Sequence, residues 1–134
     1  MNIIICLDDN NGMLFNKRRQ SSDIKISEDI KSFLNDKPLF MNEYSKKQFD
    51  NGIDICVFSD FLSKAKDGDF CFVETEDITP YIEKVNKIII YKWNRVYPAD
   101  FKFDTKLLNG FSKTEDFEFE GNSHQKITRE IYCK

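Results

Sequence analysis

The chain opens on an unbroken apolar run, Asn2-Ile3-Ile4-Ile5-Cys6-Leu7, the pattern of a strand buried on both faces. The cluster Asp8-Asp9-Asn10-Asn11-Gly12 ends it in a turn, where Asn11-Gly12 suits positive φ, and Met13-Leu14-Phe15 forms a short return segment. After the polar stretch 16–25, Ser27 is placed to cap a helix reaching Asn35. Glu28 and Asp29 suit its first turn, and Ile30, Phe33 and Leu34 share one apolar face. Residues 37–41 read as a short strand with Pro38 at its start, where a ladder donor is least missed.

Residues 44–50 follow as a short helix that Asn51-Gly52 ends, and residues 54–58 as a strand. Ser59 caps a predicted helix to Lys66, closed by Gly68. Residues 69–73 are a second buried strand. Thr79-Pro80 opens a helix with a cap residue followed by proline at its first position. Residues 87–91 form a strong strand, extendable to Val96. Residues 101–133 alternate as β-strands do, with turns near Asn109-Gly110 and Gly121-Asn122. Strands alternating with short helices predict an α/β fold: a mostly parallel central sheet with crossovers, helices on both faces, and a C-terminal antiparallel hairpin. With no repeat, low-complexity segment or linker, residues 1–134 read as a single domain.

Composition narrows the function classes. Hydrophobic residues at 40% and charged residues at 32% are those of a soluble globular protein, and most of the thirteen phenylalanines belong in its core. The net charge of −3, with both signs interspersed, gives no broad electrostatic footprint for nucleic acid. No apolar run approaches the ~20 residues of a membrane span, and the first residues lack the basic region of a signal peptide. The four cysteines, Cys6, Cys56, Cys71 and Cys133, are widely spaced, and three fall in β-like apolar runs. They read as buried reduced thiols of a cytoplasmic protein rather than a disulfide framework. A single histidine, His124, cannot build a His-rich zinc site, so no metal is expected and a metallohydrolase is argued against.

Each candidate for chemistry has a plainer reading beside it. Lys17-Arg18-Arg19-Gln20-Ser21 sets arginines beside small hydroxyls, a combination that can hold a carboxylate or phosphate, although a short charged run is usually a solvated loop. It is thin support for nucleic acid. Glu74, Glu76 and Asp77 could gather a cation, and are better explained as acids ahead of a helix. Glu28 and Asp29 read first as helix first-turn acids. Tyr91 and Trp93 read as cross-strand packing residues, and His124 as a structural group in a hairpin connection. No Walker loop, nucleophile elbow or Gly-x-Gly-x-x-Gly occurs.

In their order along the chain, several stretches resemble dihydrofolate reductase. The run from Asn2 through Gly12 is similar to that family's first strand and following loop. Leu34-Asn35-Asp36-Lys37-Pro38-Leu39-Phe40-Met41 is similar to the end of its first helix and its KPxxMG strand. Residues 87–104 resemble the strand and gDxxFP segment before the last hairpin, and residues 117–132 that hairpin. The resemblance covers nearly the whole chain and implies a three-layer fold, an NADPH site, and a pterin site reached by a carboxylate of the first helix. It also places residues 17–21 at the cleft beyond the carboxyl ends of the sheet, where open α/β folds bind ligands.

The departures bear on function. Where the family has a glycine pair that lets the backbone approach a pyrophosphate, this chain has Glu74-Thr75-Glu76-Asp77, whose carboxylates repel a diphosphate. Its MGRxT turn becomes Asn42, Glu43, Tyr44 and Ser45, with an acid in place of the arginine that reads a 2′-phosphate. Ile26 falls nearest the slot of the substrate carboxylate, with Glu28 or Asp29 as substitutes, and the LPW loop has no proline or tryptophan. The expectation is a small-ligand or protein-partner-binding relative, monomeric or homodimeric, with lost or altered NADPH binding. Its candidate binding residues are Arg18, Arg19, Gln20, Ser21, Asn42, Tyr44, Ser45, Glu74 and Thr75. The alternative is an active NADPH-dependent reductase of a pterin-like substrate that uses Glu28 or Asp29.

Overall fold

A computed structural model describes residues 1–49 and 52–134; the helix end expected at Asp50 and the turn residue Asn51 lie outside these. Strand β1 (Asn2–Leu7) has apolar side chains on both faces, so it can only be central. Ile3, Ile5 and Leu7 pack into one core layer and Ile4 into the other. Later strands take the order the burial pattern demands. β6 (Phe70–Phe72) and β7 (Lys87–Lys92) flank β1 in parallel, with Ile3 level with Cys71 and Ile88. β4 (Leu39–Met41) and β5 (Ile55–Val57) extend the parallel part beyond β6. β10 (Ile127–Cys133) runs antiparallel to β7, and β9 (Ser112–Phe119) forms the edge beside it. The sheet order is β5-β4-β6-β1-β7-β10-β9, and the expected mostly parallel sheet with a closing antiparallel hairpin is present.

Three short strands, β2 (Gly12–Phe15), β3 (Arg18–Arg19) and β8 (Phe101–Lys102), pair as a separate antiparallel sheet in the order β3-β2-β8. The return segment after β1 was legible in the sequence, but not its partners. A strand of two residues carries no periodicity to read.

Helices cover both faces. On one side, α1 (Ile24–Leu34) buries Ile26, Ile30 and Leu34 in a layer with Ile4, Phe72, Tyr91 and Trp93. On the other, Phe61 and Leu62 of α3 (Phe61–Lys64) pack with Ile3, Ile5 and Ile88, alongside a 3-10 helix at Thr79–Lys84. Burial of each such side chain is worth about 1.5–3 kcal/mol.

Helix limits differ from expectation for local reasons. α1 starts earlier, capped by Asp23, whose carboxylate accepts the Lys25 N–H at 2.9 Å; Ser27 lies inside it and donates to the Ile24 carbonyl. Ile26 extends the apolar face one turn back from Ile30, which sets this register. The helix ends where Asn35 and Asp36 turn left-handed at φ 51° and 65°. α2 (Glu43–Lys46) and α3 are single turns, α3 preceded by Asp60 rather than Ser59. Thr79-Pro80 opens a 3-10 rather than an α-helix. β7 stops at Lys92, and Asn94 at φ 58° turns the chain before Val96. No helix among the described residues is long and apolar enough to cross a membrane.

Candidate functional site

At the carboxyl ends of the parallel strands a cavity of about 320 Å³ opens between α1 and the segment after α2. Its apolar walls are Ile26, Phe49, Phe72 and Trp93, with Cys6 of β1 beside them. Ser22, Ser27, Lys47 and Gln48 give it a polar rim. Phe49 meets Phe72 edge-on at 4.9 Å, which fixes one wall. Burial raises the Cys6 thiol well above its ordinary value and Glu74 adds to this, so Cys6 is a poor thiolate.

Beside the cavity, the buried Glu74 that follows β6 is a hub. Its carboxylate accepts Arg19 Nε at 2.9 Å and Nη2 at 3.2 Å, Ser45 Oγ at 2.8 Å and Gln48 Nε2 at 2.8 Å. Arg19 lies over the Tyr44 ring at 4.4 Å, while the Tyr44 hydroxyl accepts the Arg19 backbone N–H. Burial alone would lower the Arg19 guanidinium's pKa, but Glu74 outweighs it and the net direction is upward. Asn42 caps α2 through the Ser45 N–H and donates to Thr75 Oγ1 at 2.8 Å and to Glu76. Strand β3, the turn α2 and the end of β6 are therefore tied together across the cleft.

A second hub stands at the end of β1. Buried Asp8 accepts backbone N–H groups of Asn10, Gly12 and Tyr97 and the Gln20 amide. Burial pushes its carboxyl up, but these donors win and hold it below the ordinary range. Gly12 is needed there, since a Cβ would lie 2.5 Å from Gln20 Nε2 and 2.6 Å from Ala99 Cβ. Behind Gln20 a further hollow of about 460 Å³ is lined by Phe15, Arg18, Gln20, Tyr97 and Pro98.

A third group joins α1 to the β9–β10 connection. His124, 3% exposed, stacks on Trp93 at 4.6 Å. Its Nδ1 is 2.9 Å from Asp23 Oδ2, and its Nε2 lies 3.0 Å from Ser21 Oγ and 3.1 Å from the Tyr97 hydroxyl. Asp23 also accepts the N–H groups of Asn122 and Ser123. Burial opposes its ionised form, yet the Asn122 N–H, His124 and the other donors hold it far below the usual carboxylate range.

Of the candidate residues, Arg19, Asn42, Tyr44, Ser45, Glu74 and Thr75 come together in the first network, Gln20 in the second and Ser21 in the third. Arg18 is exposed, on the outer hollow. Glu28 is exposed and pairs with Lys25. Asp29 is held by the Arg129 guanidinium at 2.6 Å and the Tyr91 hydroxyl at 2.6 Å, away from the residues lining the cavity. Burial and Asp29 together push the Tyr91 hydroxyl far up, so it stays protonated. Sequence reasoning missed Asp8, Asp23 and His124 as site groups. The first two sit in turn clusters where acids are common, and His124 lies 101 residues from Asp23. Among the described residues no group of three or more His, Cys, Asp or Glu could hold a metal ion.

No protein-family model matches the chain, and a search of curated proteins finds no match. Among solved structures, a dihydrofolate reductase from Enterococcus faecalis complexed with NADP(H) and RAB-propyl superposes with a TM-score of 0.70 at 8% identity, covering 98% of this chain and 94% of that one. The strand order, the closing antiparallel hairpin and this superposition agree: the chain has the dihydrofolate reductase-like fold.

Proposed function

We propose that this protein is a small-ligand-binding member of the reductase-like fold, with the cavity between α1 and α2 as its binding site and without the usual mode of NADPH binding. The observation that carries the reading is the Glu74 hub. By the resemblance, this stretch of chain corresponds to the glycine pair that lets the backbone meet a pyrophosphate. Here a carboxylate fills it, and its acceptors are already taken by Arg19, Ser45 and Gln48. A diphosphate would have to displace Arg19 from Glu74 and then lie against the carboxylate. The cavity's aromatic walls and its rim of Lys47, Gln48 and Ser22 suit a small planar molecule with one polar or anionic edge. Four free thiols suit a cytoplasmic location.

The reductase alternative asks for a carboxylate free to face the substrate. Asp29 is committed to Arg129 and Tyr91, Glu28 points to solvent, and Asp23 is committed to His124 and the turn after β9. Calorimetric titration of the purified protein with NADPH, then dihydrofolate, tests the reading. No NADPH binding tighter than millimolar, about −4 kcal/mol, is expected. Stoichiometric micromolar binding of NADPH would reverse it.

A further inference from the structure

The loop between β3 and α1 carries an arrangement that the cleft reading does not use. We propose that Ser21, His124 and Asp23 form a nucleophile–base–acid array that takes the acyl group of a small carboxylic ester, an activity independent of whether any cofactor binds.

The geometry sets the three roles. Asp23 Oδ2 can only accept, so the proton on the neutral imidazole belongs on Nδ1, 2.9 Å away. That leaves the Nε2 lone pair facing Ser21 Oγ at 3.0 Å, the reach of a serine from its general base. Asp23 is itself locked by the backbone N–H groups of Lys25, Asn122 and Ser123, so the imidazole is oriented by a group that cannot turn away. The Trp93 face stacked on the ring at 4.6 Å fixes the plane of the imidazole. Ser21 is half-buried, and its neighbours line both hollows: Gln20 the outer one, Ser22 and Asp23 the aromatic one. The acyl group of the ester would occupy the aromatic hollow, which Ser22 and Asp23 of the same loop line, with its carbonyl turned to Ser21.

In the first half-reaction Ser21 Oγ bonds to the carbonyl carbon as its proton passes to His124 Nε2. The ester C–O bond then breaks, and the departing alcohol carries the Nε2 proton away. In the second, water loses a proton to Nε2 and attacks the acyl carbon; the acid leaves and Oγ regains the proton. The Tyr97 hydroxyl, 3.1 Å from the same nitrogen, competes with Ser21 for its one lone pair.

The test is to incubate the full-length protein with an alkyl fluorophosphonate, map the adduct by mass spectrometry, and follow p-nitrophenyl benzoate hydrolysis in parallel. One adduct per chain on Ser21 is expected, absent from Ser21→Ala and slowed on the order of 100-fold in His124→Gln and in Asp23→Asn. In Tyr97→Phe the rate should rise. Ester hydrolysis should follow the same order. No adduct on Ser21 in the folded wild-type protein overturns the proposal even if a variant fails to fold. So does Ser21 labelling that survives unchanged in a folded His124→Gln or Asp23→Asn.

Discussion

Removing the Glu74 carboxylate strands Arg19, Ser45 and Gln48 at once, because all three donate to it. Ser45 has no exposure, so its hydroxyl has no water to turn to; Arg19 keeps some, which discounts its loss. Glu74→Ala is therefore expected to cost about 2–3 kcal/mol. Glu74→Gln keeps one oxygen as an acceptor, loses the ion pair, and should cost about half as much. Urea midpoints at unchanged slope measure both, and an alanine variant as stable as the glutamine variant would contradict this account of the hub. None of this was visible along the chain. Arg19 and Glu74 each stood out as a candidate, but nothing in either local pattern says that residues 55 apart neutralise one another. The ligand-holding promise of the basic run is reduced for the same reason: Arg19 is occupied within the fold.

At the scale of the element, α1 shows how far periodicity reaches. Ile30 and Leu34 marked its apolar face correctly, while Ser27 drew the expected cap one turn too late. The choice between Ser27 and Asp23 is made by tertiary contacts, since Asp23 caps the helix and also closes the turn of residues 121–124. Gly121 allows that closure: a Cβ there would lie 2.7 Å from Asp23 Oδ2 and 2.8 Å from the His124 carbonyl. Gly121→Ala should thus destabilise by about 1–3 kcal/mol through overpacking, although its backbone is not left-handed. Acid tests the Asp23 junction by a different route. A carboxyl held lower in the folded than in the unfolded chain adds stability above its unfolded value, about 3.9. That stability is lost as pH falls below this value towards the folded one. Asp23→Asn keeps an acceptor for the cap but has no proton to gain. It should start about 1–2 kcal/mol less stable at neutral pH and lose less than the wild type between pH 5 and 2. Urea midpoints across that range decide it, and parallel acid curves would remove Asp23 from the account.

For the whole molecule, what was legible followed from side chains that leave a strand no choice. β1 and β7 are apolar on both faces, so they had to be central and parallel, and the helices had to lie on either side. The small sheet β3-β2-β8 and the three polar hubs were not legible, because each depends on residues brought together only after the large sheet has formed. This dependence gives an expectation for unfolding. Trp93, the single tryptophan, packs among Ile4, Ile26, Tyr91 and Ile127, and stacks on the histidine that joins α1 to the β9–β10 connection. Its fluorescence therefore reports helix, central sheet and closing hairpin together. If residues 1–134 are one cooperative unit, urea unfolding followed by Trp93 emission and by far-ultraviolet circular dichroism should give superimposable curves. An emission change that precedes the loss of secondary structure would mean that the hairpin and its His124 contact open before the parallel sheet does. The chain would then be two units joined at β7, and the cavity that Trp93 lines would close only when both are folded.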